Sequence, residues 1–354
     1  MNFDDDRTYN ELHDDNLPYQ TKLDLWETAF GLQKTDNLFP SNKMVQLAQE
    51  HIEGNLNYQD VYHEITKYYD ENVDDQERVE QRTEEADIAS LRIVELLSSS
   101  SFSLTPPTLR FYHQKLFEGI EGFRYPVGKF RQVDIEKSEP VLSGRSVRYE
   151  RSELLVQTLN WDFEQEKNFS YKGMSPEEIG HHAMKFISDI WQIHPFREGN
   201  TRTIAVFTIQ YLRSFGFDVN NEPFKNYAQY FRDALALAND LMLYRNDDYL
   251  RLFTENVLFG RQHQLTRKSM FIQQLLAQRE ADKTLQEGLE KLPEKTLQQA
   301  LLLPKLELNK LFDILVKENQ STAFEKRIEA ANKQRHSSTP SHQMKENKDR
   351  GKTI

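Results

Sequence analysis

Cysteine is absent from all 354 residues. Disulfides, thiolate metal sites and a cysteine nucleophile are therefore excluded, and any metal must be held by oxygen or imidazole. Long apolar runs are also missing: no stretch approaches the roughly 20 residues of a membrane span, and the acidic opening MNFDDDRTYNELHDD lacks the basic and apolar regions of a signal peptide. A soluble, cytoplasmic protein without a membrane partner is the expectation. Positive charge is in deficit, with 45 Lys and Arg against 56 Asp and Glu and a net charge of -11. Broad contact with nucleic-acid phosphates is disfavoured, so nucleic acid is not an expected partner.

What the chain has in quantity is helical periodicity. Residues 1–22 are polar and acidic and are expected to be disordered. Residues 23–83 form an N-terminal helical segment, in which NKMVQLAQEHIEGN puts Met44, Leu47, Ala48 and Ile52 on one stripe and Gly54 at the helix end. The main domain is placed at 84–260. Within it, GKFRQVDIEKSEPVLSGRSVRYE is the best hairpin candidate, because Phe130, Val133 and Ile135 precede a Pro and Gly break and Val147 and Tyr149 follow it. SPEEIGHHAMKFISDIWQI has a Ser cap with Glu178 three residues on and a thick apolar face, so a buried central helix is implied. A helical C-terminal extension covers 261–331. The tail at 332–354 carries six Lys or Arg against two acids and is expected to be disordered.

The stretch IWQIHPFREGNTRT, from Ile190 to Thr203, interrupts an apolar pattern with polar chemistry. Pro195 stops the helix before it, and Gly199 and Asn200 let the chain turn into the next. The amides of that second helix start form an anion site, to which Arg202 adds a charged donor. Glu198 would repel a phosphate there unless a divalent cation lay between them, which is how Mg²⁺ is commonly held, by one carboxylate and the substrate's phosphates. His194 has the character of a base for an incoming hydroxyl. Taken singly, each of these residues also fits an ordinary helix cap; the ordered combination is what points to chemistry.

HPFREGNTR resembles the signature of the Fic (filamentation induced by cAMP) family, His-x-Phe-x-Asp/Glu-Gly-Asn-Gly/Lys-Arg-x-x-Arg, over His194 to Arg202, with Thr201 where Gly or Lys is usual. The resemblance implies an all-α fold, a Fic-like helical core with one β-hairpin flap and helical extensions at both ends. It implies a protein adenylyltransferase that moves AMP from ATP to a Ser, Thr or Tyr hydroxyl, with Mg²⁺ as cofactor. His194 would be the general base, Phe196 a core anchor and Glu198 the metal ligand. Nucleotide contacts would fall on Arg197, Gly199, Asn200, Thr201 and Arg202, and on Tyr227 if it flanks the base; Tyr227 and Tyr230 also suit a core. A target protein would dock by strand pairing on the flap at Lys129, Phe130 and Arg131, with self-modification as a further outcome. The signature's second arginine falls on Ala205. Transfer of another phosphate-containing group, or a weakened nucleotide-binding or interaction protein, is the alternative this substitution leaves open. QEHIEGN also resembles the family's inhibitory helix, with Glu53 as the inhibitory carboxylate and Arg202 its substitute partner; a helix that ends in glycine gives the same letters.

Overall fold

The computed structural model describes residues 16–241, 245–279, 283–318 and 324–331. The expected disorder at residues 1–15 and 332–354 lies outside the described residues. All regular structure among them is helical, in agreement with the all-α expectation. Two units are distinguished: one comprises the described parts of Met1–Glu139 and Ser146–Thr266, the other those of Pro140–Arg145 and Arg267–Ile354.

The first unit contains every residue of the polar loop. Its N-terminal helices are α1 (Tyr19–Gln33), α2 (Asn42–Glu53), α3 (Tyr58–Asn72) and α4 (Asp75–Gln81). They are followed by α5 (Thr83–Ser98), α6 (Pro106–Phe117), α7 (Leu155–Asn168), α8 (Pro176–Ile193) and α9 (Asn200–Ser214). The series closes with α10 (Glu222–Asn226), α11 (Ala228–Ala238) and α12 (Asp248–Phe259). Two of these helices are buried nearly all round, α5 from Glu84 to Leu97 and α9 from Asn200 to Leu212, so they are the centre about which the others pack. The N-terminal segment shares this core. Helix α1 packs along α5 and α10, and at Gly31 an added Cβ would sit 2.3 Å from the Lys225 carbonyl oxygen, a close approach open to glycine alone. Trp26 of α1 donates to His51 Nδ1 of α2 at 3.0 Å. A single 3-10 turn, Lys34–Asp36, continues α1 and is ended by left-handed Asn37.

The predicted hairpin is not seen as a strand pair; no strand occurs among the described residues. The chain from Lys129 to Glu150 forms no strand, and its bonds go elsewhere. Arg131 N–H donates to the Pro195 carbonyl, Lys137 N–H to Ser146 Oγ, and Tyr149 N–H to Val147 two residues back. The Pro-containing tip, Pro140–Arg145, carries a 3-10 turn (Pro140–Leu142) and groups with the second unit. A ladder cannot form when local turns and the loop carbonyls take its donors.

The second unit consists of α13 (Arg267–Leu276), α14 (Lys283–Glu290), α15 (Glu294–Leu301), α16 (Lys305–Glu318), a helical stretch at 324–331 and the Pro140–Arg145 tip. Its core is largely leucine, with Leu275, Leu285, Leu297, Leu308 and Phe312 fully buried.

Candidate active site

Helix α8 begins at a reciprocal capping box, Ser175 accepting from Glu178 N and Glu178 accepting from Ser175 N, with Pro176 as its first residue. It ends at His194, whose φ of 54° and ψ of 63° are left-handed. Such a conformation costs a histidine about 1–3 kcal/mol and persists where the surroundings over-determine it. They do here. Buried Arg131 donates from Nε to the His194 carbonyl at 2.8 Å and from Nη2 to the Ile193 carbonyl at 3.1 Å, while its backbone N–H holds the Pro195 carbonyl at 2.9 Å. Asn200 closes the loop from the other side: its Oδ1 accepts from Phe196 N at 2.9 Å and its Nδ2 donates to Phe196 O at 2.8 Å. His113 of α6 completes the frame, its ring stacked on Phe196 at 3.9 Å and its Nε2 donating to the Glu198 carbonyl at 3.1 Å. His113 Nδ1 accepts from Gly128 N, and burial pushes this histidine down to about 3, so it stays neutral.

Gly199 is required twice over. Its φ is 75°, and an added Cβ would lie 2.4 Å from the Phe117 ring. That contact lets the chain turn directly into α9, whose first amides face the loop.

The imidazole of His194 is set up as a base. Nδ1 lies 3.2 Å from the Trp191 carbonyl, an acceptor, so the proton belongs on Nδ1 and the lone pair on Nε2. Nε2 is buried and has no hydrogen-bond partner among the described residues. Burial, then the nearby positive charge of Lys137, holds His194 well below the ordinary histidine value. Tyr149 lies against it, ring centres 4.1 Å apart, and Trp191 meets it edge-on at 5.4 Å.

Glu198 is partly exposed, and both its oxygens lie 3.2 Å from Lys137 Nζ. No group of three or more metal-ligating side chains occurs among the described residues. One accessible carboxylate is the donor set for a cation that brings its other ligands with a phosphate substrate, so Glu198 fits Mg²⁺ in that role once Lys137 yields it.

Arg202 is fully buried, with side-chain hydrogen bonds from Nη1 and Nη2 but none from Nε. It stacks on Phe117 at 4.7 Å, donates to Gln33 Oε1 at 3.0 Å and to Glu85 Oε1 at 2.6 Å, and its Nε lies 2.8 Å from Asp36 Oδ2. Glu53 is not among these partners. It is exposed at the end of α2, bonded to Gln49 and Asn55, while Gly54 N–H caps His51 O and Asn55 N–H caps Glu50 O. The letters EGN here end a helix in a Schellman turn.

Other expected positions are distributed as follows. Thr201 is buried and accepts from Trp191 Nε1 at 3.2 Å, which turns its hydroxyl toward the helix before the loop. Arg197 is exposed, 5.9 Å above the Tyr125 ring. Tyr227 is 39% exposed at the head of α11 and has no ring contact with the loop among the described residues. On the expected flap, Lys129 is exposed and Phe130 is half-buried, 5.6 Å from Phe196, whereas Arg131 points inward as the strap of the loop.

Sequence reasoning passed over Asp36, Glu85, His113, Lys137, Glu139, Tyr149 and Arg232. Arg232 of α11 donates to the Thr35 carbonyl at 2.8 Å and pairs with Glu139 at 3.1 Å and Asp36 at 3.4 Å. Glu139 in turn accepts from Tyr149, which lies on His194. Buried charge pairs of this kind leave no local mark on a sequence. The one available signal is the acid pair Glu84-Glu85 at the head of a helix that carries Ile88, Leu91, Ile93, Val94, Leu96 and Leu97 for burial.

Residues 103–212 match the family described as Fic/DOC. A stretch of 149 residues is 29% identical to the protein adenylyltransferase VbhT of Bartonella schoenbuchensis, covering 42% of this chain and 29% of that relative. This chain therefore matches less than a third of that relative's length. No solved structure matches it.

Proposed function

The chain carries a Fic/DOC-family domain over residues 103–212, and from that premise we propose that it transfers AMP from ATP to a Ser, Thr or Tyr hydroxyl of a protein. The observation that carries this reading is the state of His194: neutral, with Nδ1 committed to Trp191 O and an unpartnered Nε2, in the same short loop as the α9 amides and Arg202. A base for a hydroxyl and an anion site for phosphates are what nucleotidyl transfer needs side by side.

In this mechanism Nε2 takes the proton of the incoming hydroxyl as its oxygen attacks the α-phosphorus. The oxygen–phosphorus bond forms, the bond from the α-phosphorus to its bridging oxygen breaks, and pyrophosphate leaves with the electron pair. Gly199 and Asn200 would bind phosphate oxygens through the amides that open α9, and Arg202, fully buried against Glu85 and Gln33, adds positive charge to that helix start without a free donor at Nη1 or Nη2. Glu198 would hold Mg²⁺, whose chemistry is to neutralise charge on the donor's phosphates. The flap enters as a docking edge: around Gln132–Ile135 the backbone is outside any ladder among the described residues, and a target segment would pair with it.

The enclosure of Arg202 by Asp36, Glu85 and Gln33 favours a second reading, a nucleotide-binding protein of low activity. Incubation with Mg²⁺ and ATP labelled at the α- or γ-phosphate separates these. Label from the α-phosphate on protein is the expected result. Label from γ alone means phosphorylation, and nucleotide binding without protein label leaves the second reading.

A further inference from the structure

Trp161 differs from the other two tryptophans. Trp26 and Trp191 are 1% and 0% exposed, whereas Trp161 of α7 is 61% exposed. Helical spacing puts Leu154, Thr158, Trp161 and Gln165 on one stripe, with Asp162 at its inner edge beside the fully buried row of Leu155, Leu159 and Phe163. This stripe is continuous with the flap. Thr158 Oγ1 donates to Glu150 Oε2 at 3.2 Å, Ser152 N–H donates to Asp134 Oδ1 at 2.7 Å, and the neighbouring Val133 is exposed. Glu150 follows Tyr149, whose ring lies on His194, and the Glu150 carbonyl is held by Arg131, so the stripe ends beside the catalytic loop.

The acids along the stripe lack cations. Asp162 has neither hydrogen bond nor ion pair among the described residues, and Glu150 accepts from Thr158 and from the Arg151 N–H but has no ion pair among them. Two cations close by are already matched: Lys185 bonds Asp189 at 2.5 Å, and Arg151 pairs with Glu153 at 2.8 Å. Burial, then the charge of Asp189, pushes the Asp162 carboxyl above the ordinary carboxylate range, with Glu150 adding to the rise and Lys185 opposing it. A carboxylate in that state gains from an incoming cation. An exposed indole next to it supplies a face that attracts the same cation and covers its alkyl stem.

We propose that this stripe of α7 is a docking face for a basic segment of the target protein, and that Trp161 and Asp162 together take one of its Lys or Arg side chains while the segment lies along the flap. The chain's net charge of -11 draws in basic segments generally. Only a side chain that reaches this stripe meets an open indole and a carboxylate without a cation at once, which makes the contact selective for position. Tryptophan is also among the residues that carry most of an interface's energy, because it brings a large contact area on a side chain with few rotamers. The inference rests on the transfer reading for the identity of the partner as an acceptor of AMP.

The test uses the full chain, a synthetic peptide of alternating Thr and Arg, and its counterparts with Gln or Glu in place of Arg, at about 0.15 M salt to screen long-range attraction. Because Trp161 is the exposed tryptophan, the Arg peptide should protect it from acrylamide quenching, and the Glu peptide should not. In calorimetry, Trp161→Ala and Asp162→Asn should each weaken the Arg peptide by about fivefold, the worth of one cation contact at a partly exposed site, and leave the weaker Gln peptide unchanged. Trp161→Phe should fall between wild type and Trp161→Ala, because it keeps a smaller aromatic face. With α-labelled ATP, Trp161→Ala should raise KM for the Arg peptide and leave kcat unaltered. Arg-peptide affinity indifferent to both residues, or equal affinity for the Glu peptide, overturns the proposal even if α-label transfer to protein proceeds. Self-association in sedimentation that Trp161→Ala abolishes would assign the face to a second copy of the chain and overturn it as well. Arg-peptide binding that depends on Trp161 and Asp162, without any α-label transfer, supports the docking face and removes the adenylyl-transfer reading instead.

Discussion

His194 acts as a base only in its neutral form, and the protein keeps it neutral by burial and by the positive charge of Lys137. The pH consequence follows from the sign. A base whose value lies well below the usual histidine range stays competent as pH falls through 6.5, so kcat/KM for α-label transfer should be flat between about pH 6 and 8. A fall in activity centred near the ordinary histidine value would show that the base is another group or that this environment opens on substrate binding. His194→Ala should lower transfer by about 10²–10⁴-fold, the usual worth of a positioned base, and leave ATP affinity in calorimetry unchanged. Glu198→Ala should instead leave binding of ATP no longer responsive to Mg²⁺; an intact metal response would exclude Glu198 as ligand. At this scale the sequence was informative, because His194, Glu198, Gly199, Asn200 and Arg202 are adjacent along the chain and their roles follow from a helix stop and a helix start. It placed Arg131 on the docking flap, whereas the fold turns this side chain inward onto carbonyls 62 and 63 residues away.

The junction between α8 and α9 holds a strained histidine with few residues, so each should be costly to change. Gly199→Ala combines a positive φ with a Cβ placed 2.4 Å from Phe117, and should destabilise by about 1–3 kcal/mol in chemical denaturation. Asn200→Ala leaves the Phe196 N–H and carbonyl without their side-chain partners in a buried loop, with a cost of about 1–3 kcal/mol and release of His194 from its conformation. Loss of activity without loss of stability in Asn200→Ala would mean that the loop is held by Arg131 alone. The capping box of α8 and the Gly end of α2 were legible as helix signals, since caps depend on residues three or four apart. The hairpin was not. Its apolar Phe130, Val133 and Ile135 do precede a Pro and Gly break, yet the Arg131 N–H on that stretch finds a loop carbonyl, and strand pairing depends on a partner the local sequence does not contain. Glu53 shows the same limit from the other side: Glu53, Gly54 and Asn55 match the motif, with Gln49 where Ser or Thr is usual, and the helix end uses them as a stop.

Across the first unit, the N-terminal helices are tied to the core by Asp87 of α5. Its carboxylate accepts from Ser41 N and Oγ and from Tyr69 Oη, which joins the start of α2 and the end of α3 to the central helix. Burial pushes Asp87 up to about 6, while the hydrogen bonds from Ser41 and Tyr69 oppose the rise. A raised carboxyl stabilises the folded state fully below the unfolded value near 4 and loses that contribution as pH climbs through about 6. Thermal melts should therefore show a stability decline over that window, which Asp87→Asn flattens; an unchanged slope in the variant would assign the decline to other carboxylates. Helical class, absence of thiol chemistry and the order of the loop's residues were determined by the sequence alone, because periodicity, composition and helix punctuation are local properties. What surrounds that loop was decided by tertiary structure. Asp36, Glu85, Lys137 and Arg232 lie on separate elements, and only packing of α1, α5 and α11 around α9 brings their charges together. A buried cation takes whichever carboxylate the fold delivers, and no spacing along the chain records that choice.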